Sequence, residues 1–104
     1  MTQAVGFLEV YGLAAAFVAA DAACKAANVT IEAFDTNKPA NADKLPVPLL
    51  MVVKLRGSIA DVRAAVEAGT EAANRVSGVV TTHVIPRPES DTEKLLKINA
   101  LAKK

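Results

Sequence analysis

The chain has 104 residues and a mass of 10.8 kDa, which suits a single domain over residues 1–104. Hydrophobic residues make up 52% of it but aromatic ones only 4%, so its core is built largely from alanine and valine. Twelve Lys and Arg against eleven Asp and Glu give a formal charge of +1, and no basic stripe interleaved with aromatics is present; nucleic-acid binding is excluded.

A core of small side chains buries little area per residue, so the monomer is expected to be marginal. Either the helices pack very closely or another subunit covers part of the small-residue surface; the second is favoured. The one cysteine, Cys24, rules out an intrachain disulfide framework or a CxxC site. Within the Ala-rich run 22–27 it is expected to be a small buried residue. Met1-Thr2-Gln3 opens without positive charge or a cleavage site, and no apolar stretch of about 18 residues lacks a charge. Neither a signal peptide nor a membrane span is expected, and the default location is cytosolic.

Val5–Val10 reads as a first strand, with Tyr11-Gly12 turning into a helix from Leu13 to about Ala27. Asn28 is expected to stop that helix in the left-handed conformation. A second strand, Val29–Phe34, places apolar residues at alternate positions on one face. Asp35–Pro48 then breaks all periodicity as an extended loop, restricted by Pro39, Pro46 and Pro48 and containing no glycine. Loops of this length in a compact domain are more often functional than accidental.

Leu49–Leu55 is a strongly hydrophobic third strand. Ser58-Ile59-Ala60-Asp61 resembles a capping box opening a helix that runs to about Val76, where Ser77-Gly78 ends it and Gly78 can supply positive φ. Val79–Ile85 is a fourth strand, stopped by Pro86-Arg87-Pro88. Ser90 is expected to cap a last helix within residues 89–104, with Glu93, Leu95, Leu96, Ile98 and Leu101 alternating apolar and polar sides. Lys94, Lys97, Lys103 and Lys104, offset by Glu89, Asp91 and Glu93, read as a solvated face. The order predicts an α+β, ferredoxin-like βαββαβ fold: a four-stranded antiparallel sheet, two main helices on one face and a C-terminal helix.

Candidates for chemistry are few. His83 is the single histidine, shares a strand side with Thr81 and Ile85, and reads as a hydrogen-bonding or surface residue before a catalytic base. Ser58 is explained by capping. Glu9, Glu32 and Asp35 lie in or beside strands, but nothing in the sequence pairs them. No phosphate-binding glycine loop and no calcium-loop motif occurs, so no catalytic residue, metal site or cofactor is expected and the chain is not read as an enzyme. The Ala-rich helix is open to two readings: close packing on its own sheet, or an intersubunit seam flanked by Asp21, Lys25, Asn28 and Arg87.

Four segments together resemble the hexamer-forming shell proteins of bacterial microcompartments. They are Val5–Leu13, Ala19–Val29, Arg56–Gly69 and His83–Pro88, within which Asp-x-x-x-Lys-Ala-Ala-Asn-Val and His-Val-Ile-Pro-Arg-Pro are the specific runs. The resemblance implies a homohexamer, a flat disc that tiles edge to edge with neighbouring hexamers and other shell proteins around encapsulated enzymes. It implies that Lys25 packs against its symmetry mate, that Asn28 helps position it, and that Arg87 reaches across the same edge. Asp21, one turn before Lys25, could hold its ammonium group.

In the family a short Gly-Ser-Gly-type turn usually joins the second and third strands and lines a central pore for small polar metabolites. Here Asp35–Pro48 stands in its place, longer and without glycine. Six copies could narrow or cap the opening, or line it with Asn37, Lys38, Asn41, Asp43 and Lys44. A ferredoxin-like regulatory module binding a small ligand between subunits is the alternative.

Overall fold

The structure is a computed structural model that describes residues 3–37, 40, 42–44 and 49–99. Strand β1, Ala4–Tyr11, carries Leu8 and Val10 inward on one face. It leads through Gly12 into α1, Leu13–Ala26. β2 spans Thr30–Asn37 and β3 spans Leu50–Gly57, with a 3-10 turn at Ala42–Lys44 between them. Then come α2, Ile59–Val76, β4, Val79–Ile85, and α3, Ser90–Leu96. The strands form one antiparallel sheet in the order β2-β3-β1-β4, the ferredoxin-like arrangement.

Period-two alternation decides what each sheet face does. Met51, Val53 and Leu55 of β3 join Leu8, Val10 and Phe34 in one cluster with Ala15, Ala16, Ala19, Ala20 and Ala23 of α1 and Val62, Ala65, Val66 and Ala73 of α2. Both main helices therefore cover the same face. Alanine serves close packing here: a Cβ built on Gly69 of α2 would stand 3.1 Å from the Ala19 carbonyl oxygen of α1. Each fully buried Leu or Val contributes about 1.5–3 kcal/mol relative to exposure.

Several elements differ from expectation, each for a local reason. β2 continues to Asn37 because Asp35, Thr36 and Asn37 pair with Val52, Met51 and Leu50, so the unpaired connection begins later than Asp35. A bulge at Glu32 shifts the β2 register, putting Ile31 and Phe34 opposite Leu55 and Val53 while Ala33 faces Lys54. Simple alternation from Val29 to Phe34 is thereby broken. Asn28 is not left-handed, and neither is Gly78; among the described residues only Gly12, at φ 91° and ψ 160°, has positive φ.

α1 ends instead with the Ala27 amide donating to the Ala23 carbonyl. Gly78 leaves little space for a side chain, since a Cβ there would lie 3.2 Å from the Tyr11 ring. Cys24 is exposed, not buried, because α1 turns Ala23 inward and its neighbour outward. α3 is capped by the Glu89 carboxylate, which accepts from the Asp91 amide at 2.7 Å, so Ser90 is its first residue rather than its cap. Ile98 follows the helix, and Leu101 lies outside the described residues.

Candidate functional site

The residues singled out by the sequence divide between the two ends of the sheet. Thr30, Arg56, Val5 and Ile85 form one cross-strand row, the last before Asn28 on one outer strand and Arg87 on the other. Three strand spacings of about 4.8 Å separate β2 from β4, so one chain does not bring Asn28 and Arg87 together. They share an end, not a contact.

Lys25 closes the last turn of α1 toward that end. Its Nζ lies 2.7 Å from Asp21 Oδ2, and both side chains are exposed, at 76% and 63%. Asp followed four residues later by Lys is the favourable orientation of a helical pair, and a cation in the last turn suits the helix dipole. The Asp21 hydrogen bond and charge hold the Lys25 ammonium above the usual lysine range. Its methylene stem is bare, ready to lie along another surface.

Asn28 is placed by the Arg56-Gly57-Ser58 corner. A Cβ on Gly57 would stand 3.0 Å from the Asn28 carbonyl oxygen and 3.1 Å from Val29, so only glycine lets the α1–β2 connection cross there. Ser58 Oγ accepts from the Asp61 amide at 3.1 Å, the N-cap half of the predicted capping box, and donates to Asp61 Oδ2 at 2.9 Å in place of the reciprocal bond from the Ser58 amide. The other Asp61 oxygen accepts from the Asn28 amide at 3.4 Å. One carboxylate thus ties the start of α2 to the residue after α1. Arg87 is exposed in the bend after β4.

Of the loop candidates, Asn37 lies at the opposite end. Leu50 pairs with both Asn37 and Tyr11, and the Gly12 amide donates to Leu49 O at 3.0 Å. Asn37 Nδ2 donates to Glu9 Oε2 at 2.8 Å, joining the end of β2 to β1 across β3. Asp43 and Lys44 are exposed in the 3-10 turn. Lys38, Asn41, Pro39, Pro46 and Pro48 lie outside the described residues. From the Arg56 row to the Leu50 row β3 extends about 20 Å.

Residues 4–88 match the BMC domain. The chain belongs to the BMC-domain family. It is 42% identical over 94 residues to the bacterial microcompartment shell protein PduA of Citrobacter freundii, covering 90% of this chain and 91% of that one. It is 40% identical over 100 residues to the carboxysome shell protein CcmK2 of Synechocystis sp., covering 94% and 88%. Against the shell protein EutM of Salmonella typhimurium the identity is 36% over 97 residues, covering 93% and 92%.

The crystal structure of a microcompartment protein from Desulfitobacterium hafniense superposes with a TM-score of 0.69 at 23% identity. That match takes in 100% of this chain and 52% of the other, so this BMC domain spans about half of that protein, and the likeness concerns the fold alone.

The sheet face away from α1 and α2 holds residues that the sequence did not single out. Lys54 is buried, 6% exposed, and Nζ donates to the Leu95 and Ile98 carbonyls at 3.3 and 3.0 Å, with Asp35 Oδ2 at 3.5 Å. Arg56 grips both oxygens of Glu93 and donates to Glu32 at 3.0 Å. Glu9, Glu32 and Asp35 are each engaged by a different partner, so they form no carboxylate site. The missed signal was two cations spaced i,i+2 in a hydrophobic strand, which puts both on the face opposite Met51, Val53 and Leu55. His83 is exposed on the same face of the sheet, opposite Phe7.

Proposed function

We propose that this BMC domain is a structural subunit of a bacterial microcompartment shell and not an enzyme. Six copies close into a hexagonal disc, and discs tile with one another and with other shell proteins around encapsulated enzymes. The observation that carries this reading is the separation of the Lys25–Asn28–Arg87 end from the loop end by the length of the sheet, within a BMC-domain match over residues 4–88.

In such a disc the first end is the outer rim, and the end that holds Asn37 and Leu50 turns toward the axis. Asp21 steadies Lys25, whose stem lies along its symmetry mate, while Asn28 and Arg87 complete the contact. Asn37, Lys38, Asn41, Asp43 and Lys44 are the candidates to line, narrow or cap an axial opening for small polar metabolites. Leu13, Phe17 and Val18, 40%, 52% and 41% exposed on the outer side of α1, are available to a neighbouring subunit within the disc. The relatives named above are shell proteins, which gives the ligand-binding regulatory module no support.

Sedimentation velocity and electron microscopy test the proposal. The expected result is a particle of six times the 10.8 kDa chain mass that forms extended sheets. A stable monomer at micromolar concentration would overturn it. Lys25→Ala is expected to leave the hexamer whole and abolish the sheets; sheets persisting unchanged would remove Lys25 from the rim.

A further inference from the structure

α3 is the last helix among the described residues. It has only seven residues, too short to be stable alone, and Leu96 is its one buried residue. Leu95 and Ile98 are 61% and 52% exposed. Leu96, 2% exposed, anchors the segment, and the rest of its hold is polar: the Lys54 ammonium on two carbonyls at its C-terminal end, and the Arg56 guanidinium on Glu93 in its middle.

Val5 and Ala33, 0% and 2% exposed, stand outside the core cluster of the helix-covered face. Their register partners are Arg56 and Lys54, which places them on the α3 side. They form a small apolar floor beside the two cations that hold α3, which also engage Glu32 and Asp35. Pro86 and Pro88 stiffen the chain that leads to it.

We infer that residues 89–99 form a charge-held latch that opens as a unit from the Lys54–Arg56 catch while the sheet, α1 and α2 stay folded. Closed, it keeps Val5, Ala33 and the Lys54 stem from water. Open, it bares that floor and both cations while leaving the capping box and the Asp21–Lys25 pair untouched. The latch needs no contact at the rim, so it acts whether or not discs tile.

Hydrogen–deuterium exchange on the full-length protein in its native assembly tests this. The amides from Glu93 to Ile98 are expected to exchange roughly tenfold or more faster than those of β1, β3 and α2, and to do so together. Lys54→Met should speed their exchange a further roughly tenfold, as expected when charge-assisted bonds are lost, with α2 unchanged. Should that variant fail to fold, Glu93→Gln, which alters a partly exposed residue on α3 alone, and 1 M NaCl on the native chain are each expected to speed only the α3 amides. Exchange of α3 at the rate of β3 would overturn the latch. So would α3 protection indifferent both to Glu93→Gln and to salt.

Discussion

Gly6 and Gly12 refuse a methyl group for two different reasons. At Gly6 an added Cβ would stand 2.7 and 2.8 Å from methyls of Val62 and Val66, both branched and buried on the inner side of α2. Gly6→Ala is expected to cost about 1–3 kcal/mol of unfolding free energy, read as a lowered midpoint in urea. Gly12 fails for a different reason, since its φ of 91° and ψ of 160° belong to a region that side chains rarely enter. Gly12→Ala is expected to cost a similar ~1–3 kcal/mol by strain at the β1–α1 turn. A crowded site and a strained one can be told apart: Val62→Ala should relieve part of the cost of Gly6→Ala, leaving the Val66 contact, and relieve none of the cost of Gly12→Ala.

Among the elements, α2 and α3 show two kinds of end chemistry. Ser58 caps α2 through the Asp61 amide, so Ser58→Ala is expected to lower stability by about 0.5–2 kcal/mol in thermal or urea unfolding. α3 answers to pH instead. Its Glu93 is held below the ordinary glutamate value of 4.5, first by the hydrogen bond from Arg56 and then by charge. A depressed carboxylate adds stability above its unfolded-state value and loses that stability as pH falls through the folded one. The α3 contact is therefore expected to be complete at neutral pH and to weaken below 4.5, seen as faster α3 amide exchange in acid after correction for the intrinsic rate. Glu93→Gln should flatten that dependence.

The same two helices explain what could be foreseen. α2 is legible because its cap and its periodicity are local signals, the cap carried by Ser58 and Asp61; it ends at Val76 as expected, but through the Ser77 amide on the Ala73 carbonyl and not through a positive φ at Gly78. β4 was legible because Pro86 stops it. α3's cap was misplaced because Glu89 and Ser90 are both capable, and which one caps depends on the approach of the chain from Pro88. The bulge at Glu32 and the burial of Lys54 could not be read at all. Each is decided by a partner distant in sequence, Leu55 for the register and the α3 carbonyls for the ammonium. The candidate rim residues came from motif resemblance, and their common end of the sheet became visible only through the strand register.

For the whole molecule, the shortage of large side chains turns out to have two structural answers. Alanine and glycine let α1 and α2 approach closely over one sheet face, while a thin polar layer under α3 closes the other. What is left over is the outer side of α1, where Phe17 rests its ring 5.1 Å from Phe34 yet stays half exposed. Phe17→Asp is expected to weaken association before it weakens the fold, giving smaller particles in sedimentation with a circular dichroism spectrum unchanged. A loss of secondary structure at the same substitution would instead make Phe17 part of the single-chain core.

The roughly 20 Å of paired strand between the Asn28–Arg87 end and the Leu50 row has a consequence for how such a chain can vary. Antiparallel pairing makes β3 and β1 a stiff ruler, and insertions beyond Asn37 add length at one tip without moving the other. Permeation and paving can then drift separately under selection. A lineage could trade one connection for another and still lay its tiles in an existing floor.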